Sequence, residues 1–225
     1  DYRKRITLEE KNNSTKNYLS LMCSTMDVLF CTDFEGDFTR LFQLAEQADI
    51  CVCCGDIFDY HQLPSSEFEF PLPFFSVKGN KEHWGRERLQ QALTNCYNFF
   101  WLNQHLDKLE ELTGLRFFGI DYIKEPHTIP DNIDVLVSHQ PAFGLADRCS
   151  DPFRGEKIPH CGSRPLRRLV DCNQPKLLIA GHVHIFQEQR AANTHAITLS
   201  RALTDPIILL KGKNLLKLTI NDLIH

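Results

Sequence analysis

Short apolar runs that stop at a carboxylate, an amide or an imidazole recur along this chain, and they narrow its fold more than any other feature. Asp27 to Cys31 leads into Thr32 and Asp33, Ile50 to Cys54 into Gly55-Asp56, and Phe74 to Val77 into Gly79-Asn80. Ile133 to Val137 leads into Ser138-His139, and Lys176 to Ala180 into Gly181-His182. Continuous rather than alternating hydrophobicity marks strands buried on both faces. Helical spacing intervenes at Phe38, Leu41, Phe42 and Ala45, over Trp84 to Leu93, and at Leu166, Leu169 and Val170 after a capping Ser163. Strands alternating with helices predict βαβ units in an α/β domain. Closely spaced runs near Ile185 to Gln189, His195 to Leu199, Ile207 to Leu210 and Leu215 to Ile220 predict hairpins that close a second sheet. Ligands of such sheets sit beyond the carboxyl ends of the strands, where this chain places its Asp, Asn and His.

With 225 residues, 42% of them hydrophobic, the chain suits one core. Residues 26–225 read as a single domain and residues 1–25 as a flexible N-terminal extension. No stretch approaches the roughly 18 uninterrupted apolar residues of a membrane span, and Asp1 to Asn17 lacks the basic-then-apolar order of a secretory signal. The chain does not open on Met, the mark of a trimmed fragment. A net charge of −4 argues against a polybasic role and disfavours nucleic acid as a partner. Nine cysteines without repeating spacing, three of them in the buried-strand pattern Cys51, Cys53 and Cys54, predict reduced thiols and a cytoplasmic setting. Pro64 to Pro73 reads as a surface loop. Ala142 to Pro159 reads as a long connection of the kind that holds substrate.

The strand-end residues supply carboxylate, amide and imidazole donors together, the mixed set that Mn, Fe or Zn accepts. Singly, a Gly-Asp is a turn and a His-Val-His a pair of ordinary histidines; five strand ends delivering ligand types in order are neither. Asp33, Gly55-Asp56, Gly79-Asn80 with Glu82, His139 and Gly181-His182-Val183-His184 together resemble the calcineurin-like metallophosphoesterase superfamily, and Ser138 to His184 looks like its small phosphodiesterase-type branch. The resemblance implies a four-layer αββα sandwich of two mixed sheets flanked by helices, with two divalent ions, Mn foremost and Fe, Zn or Mg as alternatives. It implies that Asp33, Asp56 and His184 hold one ion, and that Asp56, Asn80, His139 and His182 hold the other; Glu35 is a further ligand candidate for the first. The implied activity is hydrolysis of a phosphodiester or nucleotide-like small molecule by a metal-bridging hydroxide.

Two positions depart from the family pattern. Glu35 stands where the first motif has histidine, and a carboxylate there makes a harder, oxygen-rich site if it coordinates. Lys81 stands where the third motif has histidine; it brings charge to a phosphate but is a poor proton donor at neutral pH. With Asn80, Lys81 and His83 form the catalytic candidates, His83 as a substitute acid. Between Arg148 and Arg168 six basic residues face two acidic ones. Arg148, Arg154 and His160 are the substrate-binding candidates there, and Tyr60 and His61 are further pocket candidates. The alternative is a catalytically weak scaffold acting as a protein-interaction subunit. An exposed patch of Phe68, Phe70, Leu72 and Phe74 is the feature that would favour it.

Overall fold

The computed structural model describes residues 26–222 except 60, 62, 65–67, 85, 123–127, 151–156, 205, 220 and 221. Arg154, Tyr60 and the N-terminal extension therefore lie outside the described residues. In chain order the elements are β1 (Val28–Cys31), α1 (Thr39–Leu44), β2 (Ile50–Cys53), β3 (Phe74–Ser76), α2 (Asn80–Trp84), α3 (Arg86–Thr94) and β4 (Phe99–Trp101). Then follow α4 (Leu106–Thr113), β5 (Phe117–Ile120), β6 (Val135–Ser138), β7 (Cys149–Ser150), β8 (Lys157–Ile158) and α5 (Arg164–Asn173). The chain closes with β9 (Leu177–Ala180), β10 (Gln187–Ala191), β11 (Thr194–Thr198), β12 (Ile207–Lys211) and β13 (Asn214–Leu218).

Six strands form one sheet in the order β13-β12-β1-β2-β3-β4, and five form another in the order β10-β11-β9-β6-β5. Strands β1 to β4 are mutually parallel, as are β5, β6, β9 and β11. Each sheet gains antiparallel strands from one hairpin, β12–β13 on the first and β10–β11 on the second. The late hairpins are thus shared between the sheets rather than spent on closing one, because β11 finds a parallel partner in β9 whereas β12 pairs against β1.

The period-two geometry of strands sorts their side chains into three cores. Val28, Phe30, Ile50, Val52, Phe75 and Ile208 face Val135, Val137, Leu177, Ile179 and Ile197 between the sheets. Leu29, Cys31, Cys51, Cys53 and Leu209 lie on the opposite side of the first sheet, against Leu41 and Leu44 of α1 and Leu89 and Leu93 of α3. Leu136, Leu178 and Ala196 lie on the outer side of the second sheet, under Leu166, Leu169 and Val170 of α5. This is the four-layer sandwich, and β1, β2 and β9 are apolar at every position because both faces are buried. The serine before α5 acts as expected, Ser163 Oγ accepting from Leu166 N at 3.1 Å. Cys51, Cys53 and Cys54 are fully buried, and the eight described cysteines are free thiols. Among the described residues no helix is long and apolar enough to cross a membrane.

One surface expectation fails. Phe70, Leu72 and Phe74 are buried and Phe68 packs against the same core, so they form no exposed patch. Asn98 makes that burial feasible: its side chain donates to the carbonyls of Phe70 and Leu72 and accepts from Phe70 N. The irregular backbone can then enter the core with its polar groups paired.

Candidate metal centre

The loops leaving β1, β2, β3, β6 and β9 converge at one edge of the sandwich. Asp33 N and Glu35 N donate to the carbonyls of Gly55 and Asp56, and Gly181 N donates to His139 O. His182 N donates to Asp33 Oδ2 at 2.9 Å, stitching the second sheet to the first. The contacts are close enough to demand glycine. A Cβ on Gly181 would lie 1.9 Å from Thr32 Oγ1, and one on Gly79 would lie 2.1 Å from Asp56 Oδ1. Asp33, Glu35, Asp56, His182 and His184 all hold left-handed backbone, with φ of 51°, 49°, 55°, 71° and 58°. Such conformations cost free energy in non-glycine residues and persist where the surroundings enforce them, most often at functional sites.

Four donor atoms meet in the deeper half of the cluster. His139 Nε2 lies 2.9 Å from Asn80 Oδ1 and 3.6 Å from Asp56 Oδ1. His182 Nδ1 lies 3.0 Å from Asn80 Oδ1 and 3.1 Å from His139 Nε2. Ligand bonds of about 2.1 Å at right angles put neighbouring donors about 3.0 Å apart, so these side chains fit a divalent ion. Asp33, Asp56 and His139 are buried and offer ligand atoms within 4.8 Å of one another. His139 Nδ1 lies 2.8 Å from Cys54 O, which fixes the tautomer and turns the Nε2 lone pair towards the cluster.

The electrostatics suit a cation. Burial, then the charge of Asp33, pushes the Asp56 carboxyl well up. Burial, then His139, pushes His182 down to about 4, so its ring is neutral and able to coordinate near pH 7. Burial alone would raise Asp33, but the hydrogen bond from His184 and the charges of His139 and His184 hold it at about 2.

The family model for calcineurin-like phosphoesterases matches residues 26–186. The chain belongs to the calcineurin-like phosphoesterases. One solved structure has a TM-score of 0.53 at 16% identity, covering 86% of this chain and 99% of the other. TT1561 of Thermus thermophilus has a TM-score of 0.52 at 12% identity, covering 86% of this chain and 98% of its own. Likeness at these identities establishes the fold. No curated protein matches the chain.

In this calcineurin-like chain the shallower half of the cluster is differently made. His184 Nε2 lies 3.1 Å from Asp33 Oδ1. Glu35 Oε1 is 3.0 Å from Lys81 Nζ, Glu35 Oε2 pairs with Arg201, and Lys81 Nζ also donates to Asp59 Oδ1 at 3.0 Å. His83 packs edge-on against Trp84 and Tyr122. Arg148 is exposed, and His160 bonds Asp147 at 2.9 Å; both line a groove of ≈ 840 Å³ that also takes in Lys157 and Ile185, the residue after His184. His61 is exposed. Arg167 is occupied elsewhere, pairing with Asp171 and donating to Phe143 O.

Three contributors escaped the sequence reading. Glu82, matched to the motif but given no role, is fully buried and accepts from Asp56 N, Ile57 N and Gly79 N, each at 2.8 Å. It ties the Gly-Asp loop to the Gly-Asn loop, and an acid two residues after Asn80 was the available signal. Tyr122 sets its ring 5.7 Å from those of both His139 and His182; recognising β5 as one more strand with a polar end would have found it. Arg201 had no local signal.

Proposed function

We propose that this chain is a metal-dependent phosphodiesterase acting on a phosphodiester or nucleotide-like phosphoester, with a divalent ion, Mn foremost, held by Asp56, Asn80, His139 and His182. The observation that carries this reading is the convergence of those four donor atoms at separations of 2.9 to 3.6 Å. A bound ion supplies Lewis-acid polarisation of a phosphoryl oxygen and a water of lowered pKa. The chain supplies the rest. Asp56 brings negative charge, His139 is aimed by Cys54 O, and Tyr122 walls the two imidazoles from solvent. Arg148 and His160 stand along the adjoining groove to receive the remainder of the substrate, His160 steadied by the buried Asp147. Lys81 cannot serve as the acid: despite burial, which lowers a lysine, its bonds to Asp59 and Glu35 hold its pKa above the ordinary value. His83, on the same helix and against Tyr122, is the imidazole left to protonate the leaving oxygen. Free thiols throughout the described core suit a cytoplasmic setting.

The test compares wild type with Asp56→Asn after equilibration with Mn, measuring bound metal and hydrolysis of bis(p-nitrophenyl) phosphate against p-nitrophenyl phosphate. Metal bound by wild type and lost in the variant, with the diester cleaved faster, is the expected result. Metal-loaded wild type no faster than Asp56→Asn on either ester would sink the reading.

A further inference from the structure

The two positions at which this chain leaves the family pattern touch each other. Glu35 and Lys81 come from different strand ends, yet their charged groups stand 3.0 Å apart with side chains only 15% and 14% exposed. The contact takes one oxygen of Glu35 and Arg201 takes the other, so neither oxygen is without a cation of the chain itself. Lys81 is anchored twice more, its ammonium on Asp59 and its backbone N–H on Asp56 Oδ1 at 2.8 Å.

One oxygen of Asp33 is also committed. Asp33 Oδ2 accepts from Thr32 Oγ1 at 2.6 Å and from His182 N at 2.9 Å, which leaves Oδ1, 3.1 Å from His184 Nε2. Lys81 and the half-exposed Arg201 together put two positive charges on Glu35, the position from which the family pattern would ligate a divalent ion, and Lys81 also acts on Asp56. Coordination at Glu35 would require breaking its largely buried ion pair with Lys81, besides the half-exposed one with Arg201, and placing a divalent ion beside an ammonium, both unfavourable. The residues of the first site therefore do not fit a metal, whereas those of the second do.

We infer that the centre is mononuclear: Lys81, positioned by Glu35 and Asp59, supplies as a built-in ammonium the positive charge that a first metal would bring, beside a single divalent ion at Asp56, Asn80, His139 and His182. The inference rests on the metal-site reading proposed above and goes further in assigning Glu35 to hold a lysine rather than a metal. With an ion held at Asp56, Asn80, His139 and His182, Lys81 would add a second positive charge for a phosphoryl group, and it would neither gain nor lose a proton in that role.

The experiment is bound-metal stoichiometry by elemental analysis after equilibration with excess Mn and gel filtration, read together with the Mn electron paramagnetic resonance spectrum. Wild type, Glu35→His/Lys81→His and His182→Ala are compared, each checked for folding by circular dichroism. About one equivalent with an uncoupled six-line spectrum is expected in wild type, and about two with a spin-coupled spectrum in the double variant, because ions about 3.5–4 Å apart couple. About two coupled ions in wild type would overturn the mononuclear assignment while leaving the metal-site reading intact. No ion in wild type, unchanged in His182→Ala, overturns both. Where the double variant does not fold, the wild-type stoichiometry and spectrum alone decide.

Discussion

The two halves of the candidate centre are built by one device and equipped oppositely. In each, strand ends with left-handed backbone push short polar side chains towards a common point. The half made by Asn80, His139 and His182 presents donor atoms that converge, and burial keeps His182 uncharged. The half around Glu35 presents formal charges already matched by Lys81 and Arg201. A neutral His182 in a buried cleft leaves the charge of Asp56 for an incoming cation to neutralise; around Glu35, internal ion pairs answer that need from within the chain. Ligand residue types alone do not define a metal site, and what their atoms are already bonded to decides.

The widest separation between the halves is expected from removing one imidazole from each. His139→Ala deletes a converging donor and should weaken Mn binding by at least the roughly 100-fold that upper-end losses of supporting groups produce. His184→Ala should leave it near wild type, because His184 bonds Asp33 in the half already neutralised. Titration calorimetry with Mn measures both, and equal losses would break the contrast.

Next in size is Glu82, which serves both halves. Its two oxygens receive three backbone N–H groups, so Glu82→Gln turns an amide NH2 towards a buried donor. The expected cost is about 1–3 kcal/mol in urea unfolding. An unchanged urea midpoint would show that the Gly-Asp and Gly-Asn loops are held by their other contacts.

Tyr122→Leu keeps apolar bulk but removes the ring set against His139 and His182. Loss of ring-on-ring contacts worth about 0.5–1.5 kcal/mol should loosen both imidazoles and weaken Mn binding up to roughly tenfold. The ion pair of Glu35 with Lys81 should be unaffected. A larger fall in stability than in metal affinity would make Tyr122 part of the core rather than of the neutral half.

The sequence exposed one half of this comparison more readily than the other. Asp33, Asp56, Asn80, His139 and His182 were legible because each directly follows an apolar run, a local signal that survives without a tertiary structure. Strands β1, β2, β3, β6 and β9 were legible for the same reason, with bounds shifted by one or two residues. Strands β4 and β5 were not: Phe99–Trp101 is short, and Phe117–Ile120 contains Gly119 and begins three residues after a left-handed helix end at Gly114. The pairing of Glu35 with Lys81 and Arg201 joins residues far apart in sequence, which no spacing rule reaches. Arg201 arrives on a turn whose next two residues, Ala202 and Leu203, also hold positive φ. The burial of Phe70 likewise depended on Asn98, 28 residues away.

The smallest effect separates acid loss of metal from acid loss of the fold. Protons compete with a metal for its ligands, His182 among them, so metal content falls as pH drops whether or not the sandwich loosens. At the β10 edge, Glu188 joins His195 of β11 and Lys217 of β13, linking the two sheets away from the neutral half. Burial slightly raises its carboxyl, but His195 and Lys217 outweigh that and hold the pKa below the ordinary 4.5. A depressed folded value means that this contribution is present above about pH 4.5 and is lost as pH falls through the folded pKa. Glu188→Gln should therefore flatten a small part of the acid limb of thermal stability while leaving the pH profile of Mn content where it was. If both profiles move together, the metal is reporting the integrity of the sandwich and not the protonation of its own imidazoles.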